Sequence, residues 1–467
     1  MNRWLFIVSG LLFAGCSQFE PRPLSPGESA ERLQSRTLDN PELKSFLEDN
    51  LQRTLSDWPA RSWNFEMLTL AAFYYQPGLE VARAHWRVAQ AEIKTAGGRP
   101  NPTLTAGPGY NSSALSGVNP WMPFATLDVP IETAGKRGHR IARAEHLSEA
   151  ARLNITAAAW QLRSNVRATL LDFVAARRRE EVLLSQASLQ RQIIQSLEQR
   201  QQAGALSSAE VGVVRVSFAK TQTELADAQR QRAEARARVA ETVAVPLSAL
   251  SDVELSFELT NFPPTGELVS TDARRQALQS RADILGGLAE YAASQSALQL
   301  EIAKQYPDVH LSPGYQWDQG ENKWQLGLSV ELPVLNRNQG PIAEAAARRA
   351  ESAARFEALQ AKVLAEIDRA VAMLAAGRQN LDALQSLSEA QKARRESVEA
   401  QIKAGAAERL DLLNAQFESA ASVLAELDAQ VKWQQAFGAL EDAVQRPLNM
   451  LLSQRIEPSP RIERSKP

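Results

Sequence analysis

The 467-residue chain contains one cysteine, four histidines and only 6% aromatic residues. A single cysteine, Cys16, excludes an intrachain disulfide framework. His85, His139, His146 and His310 have no Cys, Asp or Glu partners at metal-ligand spacing, so neither a metal site nor a cofactor is expected. No nucleophile motif, phosphate loop or zinc-protease signature occurs, which excludes the familiar enzyme classes. The net charge of −2 points to no nucleic acid and no electrostatically held surface. Proline is missing from 142–245 and from 342–446. That last absence permits helices too long for a compact domain.

What is present is present twice, about 200 residues apart. Asn101-Pro-Thr-Leu-Thr-Ala-Gly-Pro-Gly-Tyr110 returns as Tyr306-Pro-Asp-Val-His-Leu-Ser-Pro-Gly-Tyr315. Leu127-Asp-Val-Pro-Ile131 returns as Val330-Glu-Leu-Pro-Val334, and Ala203-Gly-Ala205 as Ala404-Gly-Ala406. Asp227-Ala-Gln229 and Asp428-Ala-Gln430 close the two copies. The duplication argues for one architecture with two pseudo-equivalent halves.

Within each half the pattern predicts a helix, two strands, a very long helix, a turn and a return helix. In the first copy the long helix runs from about 141 to 202, about 90 Å at 1.5 Å per residue, and the return helix from about 208 to 244. Val214, Phe218, Thr221, Leu225, Ala228, Arg232, Ala235 and Val239 step by four and three, the seam of helices wound on one another. Leu413, Phe417, Ala420, Leu424, Leu427 and Val431 do likewise. Arg232 breaks its seam, and Arg177-Arg-Arg179 with Glu180-Glu181 reads as a solvated, self-neutralising face. Ile155 and Trp160 lie off the stripe of Leu162, Val166, Leu170 and Phe173, so the helix can hold two neighbours, as a closed cylinder requires. Shorter helices are expected at 66–96 and 271–305, each stacked end to end with a return helix beside the long one.

The strands are expected near 102–111 and 121–131, then 307–317 and 323–333. Val309, Leu311, Pro313, Tyr315 and Trp317 alternate with His310, Ser312, Gly314, Gln316 and Asp318. Trp324, Leu326, Leu328, Val330 and Leu332 continue the apolar set, and Leu104, Ala106, Pro108, Tyr110, Trp121, Ala125, Leu127 and Val129 keep the same phase. Strands of about nine residues match a bilayer crossing. Tyr110, Trp121, Tyr315, Trp317 and Trp324 are the candidate membrane-interface aromatics. Four strands do not close a barrel, and an open edge in lipid leaves unsatisfied backbone groups. Closure then needs several chains.

Arg3 and the apolar run Trp4 to Phe13 form a short secretory signal, ending Phe13-Ala-Gly-Cys16. Residues 1–15 are expected to be removed and Cys16 to be lipidated, although Phe13 stands where a lipobox usually has Leu. Residues 16–65 form the lipidated N-terminal segment, of which 17 to about 60 is expected to run down the outside of the barrel. The remaining divisions are 66–245 and 271–446 for the repeats, 246–270 for a linker, and 447–467 for a tail.

The duplication, Asn101-Pro-Thr-Leu and Pro130-Ile-Glu-Thr-Ala-Gly-Lys-Arg-Gly138 together resemble the TolC-like outer membrane efflux proteins, nearest their heavy-metal (CzcC-like) branch. The resemblance covers 66–446. It implies a mainly helical fold with membrane β-structure: a homotrimer whose twelve-stranded barrel, four strands per chain, sits in outer-membrane lipid and continues as a periplasmic coiled-coil tunnel. It further implies a non-enzymatic exit duct that receives substrate, heavy-metal cations included, from an RND-type inner-membrane pump through a periplasmic membrane-fusion adaptor. Asp411 matches an acidic ring at the tunnel entrance, Asn414 stands where the prototype has a second aspartate, and Glu210 matches a carboxylate that latches the closed state. The prototype's latch tyrosine and arginine are replaced by Ile402 and Ala407. Asp411 and Glu210 equally suit the N-termini of the return helices. The adaptor would dock on Gly204, Ala205, Leu206 and Ser207 and on Gly405 and Ala406. Alternatives are a periplasmic coiled-coil adaptor or scaffold lipoprotein, and a duct for drugs or type I protein secretion.

Overall fold

The computed structural model describes residues 19–261 and 271–448; the signal segment, Cys16, part of the linker and the tail from 449 lie outside the described residues. In the first half, α1 (Pro26–Gln34), α2 (Pro41–Leu51), β1 (Ser62–Trp63), α3 (Phe65–Tyr75) and α4 (Pro77–Ala96) lead to β2 (Thr103–Tyr110) and β3 (Trp121–Ile131). Then come α5 (Lys136–Gln202), α6 (Ser208–Val243), a 3₁₀ turn (Leu247–Leu250) and β4 (Glu254–Leu255). The second half repeats the plan as α7 (Thr271–Ser280), α8 (Ala282–Ala303), β5 (Val309–Asp318), β6 (Glu321–Val330), α9 (Gln339–Lys403) and α10 (Arg409–Val444).

At 67 residues, α5 is about 100 Å long, and its length is tolerable because neighbours cover it along its whole course. Near its start Arg137 Nε donates to Gly97 O at the end of α4, 2.7 Å away. Farther down, Gln190 Nε2 donates to Ser217 Oγ of α6 at 3.0 Å. On another side Trp160 Nε1 donates to Asp442 Oδ1 of α10 at 3.0 Å. The shorter helices thus lie end to end along the long one. Thr221, Ala228, Ala235 and Val239 of the predicted seam are buried, as are Leu413 and Leu427 in the second hairpin.

Three expectations need correction. The helix over 66–96 is two helices, because Pro77 pushes Gln76 into an extended conformation (ψ 115°) and starts α4 anew. The helix over 271–305 likewise breaks at Arg281 (ψ 132°). No proline forces that break. The Arg281 guanidinium donates to Ala443 O at 2.6 Å and pairs with Asp283 at 2.6 Å and Glu366 at 3.4 Å, a tertiary anchor for the bend. Finally, Arg177 to Glu181 is not one solvated face: Glu180 is buried and meets Arg232 of α6 at 2.8 Å, while Arg179 reaches Asp428 of α10. The seam-breaking Arg232 is there to neutralise Glu180.

The N-terminal segment also departs from the path expected for it. From Leu38 onward it caps an equatorial core: Leu38, Leu43, Leu47 and Trp63 join Leu68 of α3, Val166 and Leu170 of α5, Val239 and Val243 of α6, and Leu250 and Leu255 of the linker. Ser62 and Trp63 pair in parallel with Glu254 and Leu255, which stitches this segment to the linker. A second core gathers Ile284, Val363, Ile367, Leu374, Trp433 and Phe437, with the last two rings stacked 5.3 Å apart.

The strands form one antiparallel sheet in the order β2-β3-β5-β6. The two halves join at β3–β5, where Val129 faces Leu311 and Ala125 faces Tyr315. The β5–β6 turn needs only Gln319 and Gly320, both at positive φ (53° and 91°), so β5 and β6 are each shifted by one to three residues from their expected bounds. No described helix is long and apolar enough to cross a membrane.

Candidate functional site

Each long helix ends in the same way. Gly204 (φ 76°) and Gly405 (φ 72°) adopt the left-handed conformation after α5 and α9. Ala205 N–H then donates to Arg200 O at 2.9 Å, and Ala406 N–H to Gln401 O at 2.8 Å, satisfying carbonyls that the helix ends leave open. Glycine is required here because a Cβ disfavours this conformation. The return helices start with paired caps. Ser207 N–H donates to Glu210 Oε2 at 2.8 Å, and Glu210 N–H to Ser207 Oγ at 3.3 Å. Glu408 N–H donates to Asp411 Oδ2 at 2.9 Å. The hydrogen bonds from the Ser207 backbone and hydroxyl hold the Glu210 carboxyl below its ordinary range.

Glu210 and Asp411 therefore both cap helices, and both remain exposed. Asn414, one turn beyond Asp411, is exposed as well, so the two share a face of α10. Of the docking residues, Gly204, Ala205, Ser207, Gly405 and Ala406 are exposed at the tips, whereas Leu206 is half-buried.

Sequence reasoning missed the bonds between the hairpins. Arg200 near the end of α5 pairs with Glu408, the cap of α10. Arg179 pairs with Asp428 midway. At the equator Arg167 Nη1 donates to Glu441 Oε2 at 2.7 Å, and Arg163 shares the same oxygen at 3.1 Å. Burial pushes the Arg167 guanidinium down from its ordinary value, opposed by Glu441. Gly438 makes room for it, since a Cβ there would lie 2.8 Å from Arg167 Nε. These pairs link residues 208 to 278 positions apart, a separation no local signal reports. A cavity of about 890 Å³ lies beside this cluster, lined by Phe65, Phe257, Phe437, Arg163 and Arg177 among others.

At the opposite end, the sheet has two unlike faces. Register places Leu104 opposite Leu127, Tyr110 opposite Trp121, Leu311 opposite Leu328 and Tyr315 opposite Trp324, all on one face. Trp324, Leu326 and Leu328 are 80%, 75% and 68% exposed, an apolar surface that water does not favour. Tyr110–Trp121 and Tyr315–Trp324 form cross-strand aromatic pairs, with centroids 5.1 and 4.9 Å apart. Trp317 sits in the same row opposite Asn322 and is half-buried. The other face carries Thr105, Thr126, Asp128, His310, Ser312, Gln316 and Gln325. Phe124 is its aromatic exception, and its ring lies over Gly107, where a Cβ would approach to 3.3 Å. Among the described residues no group of three or more His, Cys, Asp or Glu converges to hold a metal.

Known proteins share this arrangement. The outer membrane efflux protein family model matches residues 74–244 and 273–444, the two structural repeats. Over 220 residues the chain is 25% identical to the cobalt-zinc-cadmium resistance protein CzcC of Cupriavidus metallidurans, a match covering 47% of this chain and 51% of that protein. The chain thus spans about half the length of this curated relative. The crystal structure of the outer membrane protein VceC of Vibrio cholerae superposes with a TM-score of 0.66 at 21% identity, over 81% of this chain and 95% of VceC. The open-state outer membrane channel MtrE of Neisseria gonorrhoeae gives 0.61 at 18% identity, over 82% and 89%. These likenesses establish the fold.

Proposed function

The chain belongs to the outer membrane efflux protein family, and on that premise we propose that it is the outer-membrane exit duct of a tripartite efflux system. The observation that carries this reading is the joining, in one chain, of an apolar-faced four-stranded sheet to helices of 67 and 65 residues. β2 and β6 are the free edges of that sheet. Edges are not tolerated in hydrocarbon, so β6 of one copy pairs with β2 of the next, and three copies close a twelve-stranded barrel with its apolar face to lipid. The long hairpins then continue the barrel as a tunnel through the periplasm. Cys16 adds a lipid anchor in the outer membrane.

At the far end, Gly204 to Ser207 and Gly405 to Ala406 present the exposed tips to a periplasmic adaptor, which delivers substrate from an inner-membrane pump. The tunnel entrance closes near Asp411, Asn414 and Glu210. Three Asp411 carboxylates at one level favour cations there. The kinship with CzcC, described as a cobalt-zinc-cadmium resistance protein, favours divalent metal as the cargo. Duplicated strand pairs with an apolar face argue against an adaptor or scaffold.

The test is growth of a strain lacking the gene across cobalt, zinc, cadmium, dyes, detergents and antibiotics. Selective sensitivity to the metals, reversed by a plasmid-borne copy, is expected. Broad sensitivity to hydrophobic compounds would reject the metal assignment and keep the duct.

A further inference from the structure

The polar face of the sheet carries one imidazole. His310 on β5 holds Nδ1 2.9 Å from Asp128 Oδ2 on β3, and Ser312 Oγ donates to Asp128 Oδ1 at 2.9 Å. These side chains straddle the β3–β5 pairing, the junction between the halves. The backbone ladder joins those strands on either side, through Thr126 with Gly314 and Val129 with Leu311, and the Asp128 bonds span the stretch between while engaging only Nδ1 of the imidazole. His310 and Asp128 also stay accessible, at 41% and 37% side-chain exposure.

A carboxylate acceptor at Nδ1 selects the tautomer with its proton there, which leaves the Nε2 lone pair outside that bond. That arrangement, carboxylate to imidazole to open nitrogen, is the one that orients histidine ligands in metal sites. Neutral imidazole suits borderline divalent ions such as zinc, cobalt, nickel and copper, whereas magnesium and calcium prefer oxygen.

We propose that His310, oriented by Asp128, is a transient coordination station for borderline divalent cations on the lumen wall. The proposal rests on the duct reading, under which this face lines the lumen of the barrel. A conduit needs sites that ions can both enter and leave. One imidazole leaves the remaining coordination positions to water, so the ion is held briefly and moves on. Asp128 adds negative charge beside the station without occupying a coordination position on the ion.

The experiment uses the full chain in detergent with His85, His139 and His146 each replaced by Gln, so that His310 is the remaining imidazole. Titrated copper(II) is expected to give an electron paramagnetic resonance spectrum with imidazole-nitrogen coupling at one ion per chain. His310→Gln should abolish that coupling, and Asp128→Asn should weaken it with the circular dichroism unchanged. Coupling that is absent before the substitution, or that Asp128→Asn leaves unchanged, overturns the station. In planar bilayers, zinc but not magnesium should then reversibly reduce the potassium current of the parent and spare that of His310→Gln. Equal zinc effects in both overturn the station and leave the duct intact. No pore at all, with the copper signal present, overturns the duct reading and with it the lumenal role.

Discussion

Arg200 in the last turns of α5 meets Glu408, the cap residue of α10, and so ties together the tips of two hairpins from different halves of the chain. It is the most exposed of the inter-hairpin pairs. Its side chains are 40% and 65% accessible, against 8% and 0% for Arg167 and Glu441 at the equator. The hairpins are therefore pinned firmly at one end and lightly at the other, which allows the tips to part while the equator holds.

An exposed pair contributes at most about 1 kcal/mol. Arg200→Gln should accordingly shift the balance between closed and open tips by up to about fivefold. Single-channel recordings at low salt are the suitable readout, because screening is weakest there. Open probability should rise in Arg200→Gln and return towards the parent in Arg200→Glu combined with Glu408→Arg. An unchanged open probability in the single variant would remove this pair from gating.

Two glycines in helix interiors should respond to alanine with opposite signs. Gly438→Ala puts a Cβ 2.8 Å from Arg167 Nε, and Arg167 cannot swing away without leaving Glu441. Overpacking of this kind costs about 1–3 kcal/mol, more than the roughly 1 kcal/mol that alanine adds to a helix. A Cβ at Gly212 in α6 has nothing within 4 Å, so Gly212→Ala should keep that gain. Thermal melts of the two variants should bracket the parent. A higher melting temperature for Gly438→Ala would show that Arg167 is free to move.

The contrast between these sites also separates what the sequence discloses from what it conceals. Gly204, Gly405 and the proline-free runs announce the hairpins through local chemistry: a left-handed turn, and no helix breaker. Alternation announces the strands, because a period of two is a property of neighbouring residues. Pro77 is a break of the same local kind, since proline restricts the residue before it and starts a helix anew. The bend at Arg281 is different in kind. Its cause is an acceptor at Ala443 and a carboxylate at Glu366, both distant in sequence. Arg232 looked like a flaw in a seam until Glu180 appeared opposite it. The partner of Arg200 was likewise hidden, since hairpins from separate halves meet only after folding.

Stability should depend on pH through two carboxylates with opposite signs. Burial alone would raise Asp283, but the Arg281 guanidinium at 2.6 Å overrides it and holds the carboxyl below its ordinary 3.8. Its contribution is present above that value and is lost as pH falls through the lower folded pKa. Burial raises Asp442 despite bonds from Ser164 and Trp160, so ionising it weakens the fold as pH rises from 3.8 to the raised pKa. Asp283→Asn should melt below the parent at neutral pH, with the gap closing in acid. Asp442→Asn should melt at or above the parent at neutral pH, and that gap too should close in acid. Parallel melting curves for parent and variants across the acid range would contradict both assignments.

Asp411 is the residue for which the local and the functional reading compete, and charge removal separates them. Its carboxylate accepts the Glu408 N–H at 2.9 Å, a cap that an asparagine oxygen can still provide. Asp411→Asn should therefore leave the melting temperature close to that of the parent, with a loss below about 1 kcal/mol. If three such carboxylates ring the tunnel entrance, the same substitution should move the reversal potential in a potassium chloride gradient towards zero. Asn414→Asp places a second carboxylate on the same exposed face and should move it the other way. A cap without a gate predicts reversal potentials that stay fixed in both variants. The tip geometry favours the first outcome, because one oxygen of Asp411 suffices for the cap and its charge remains open to the water that ions must cross.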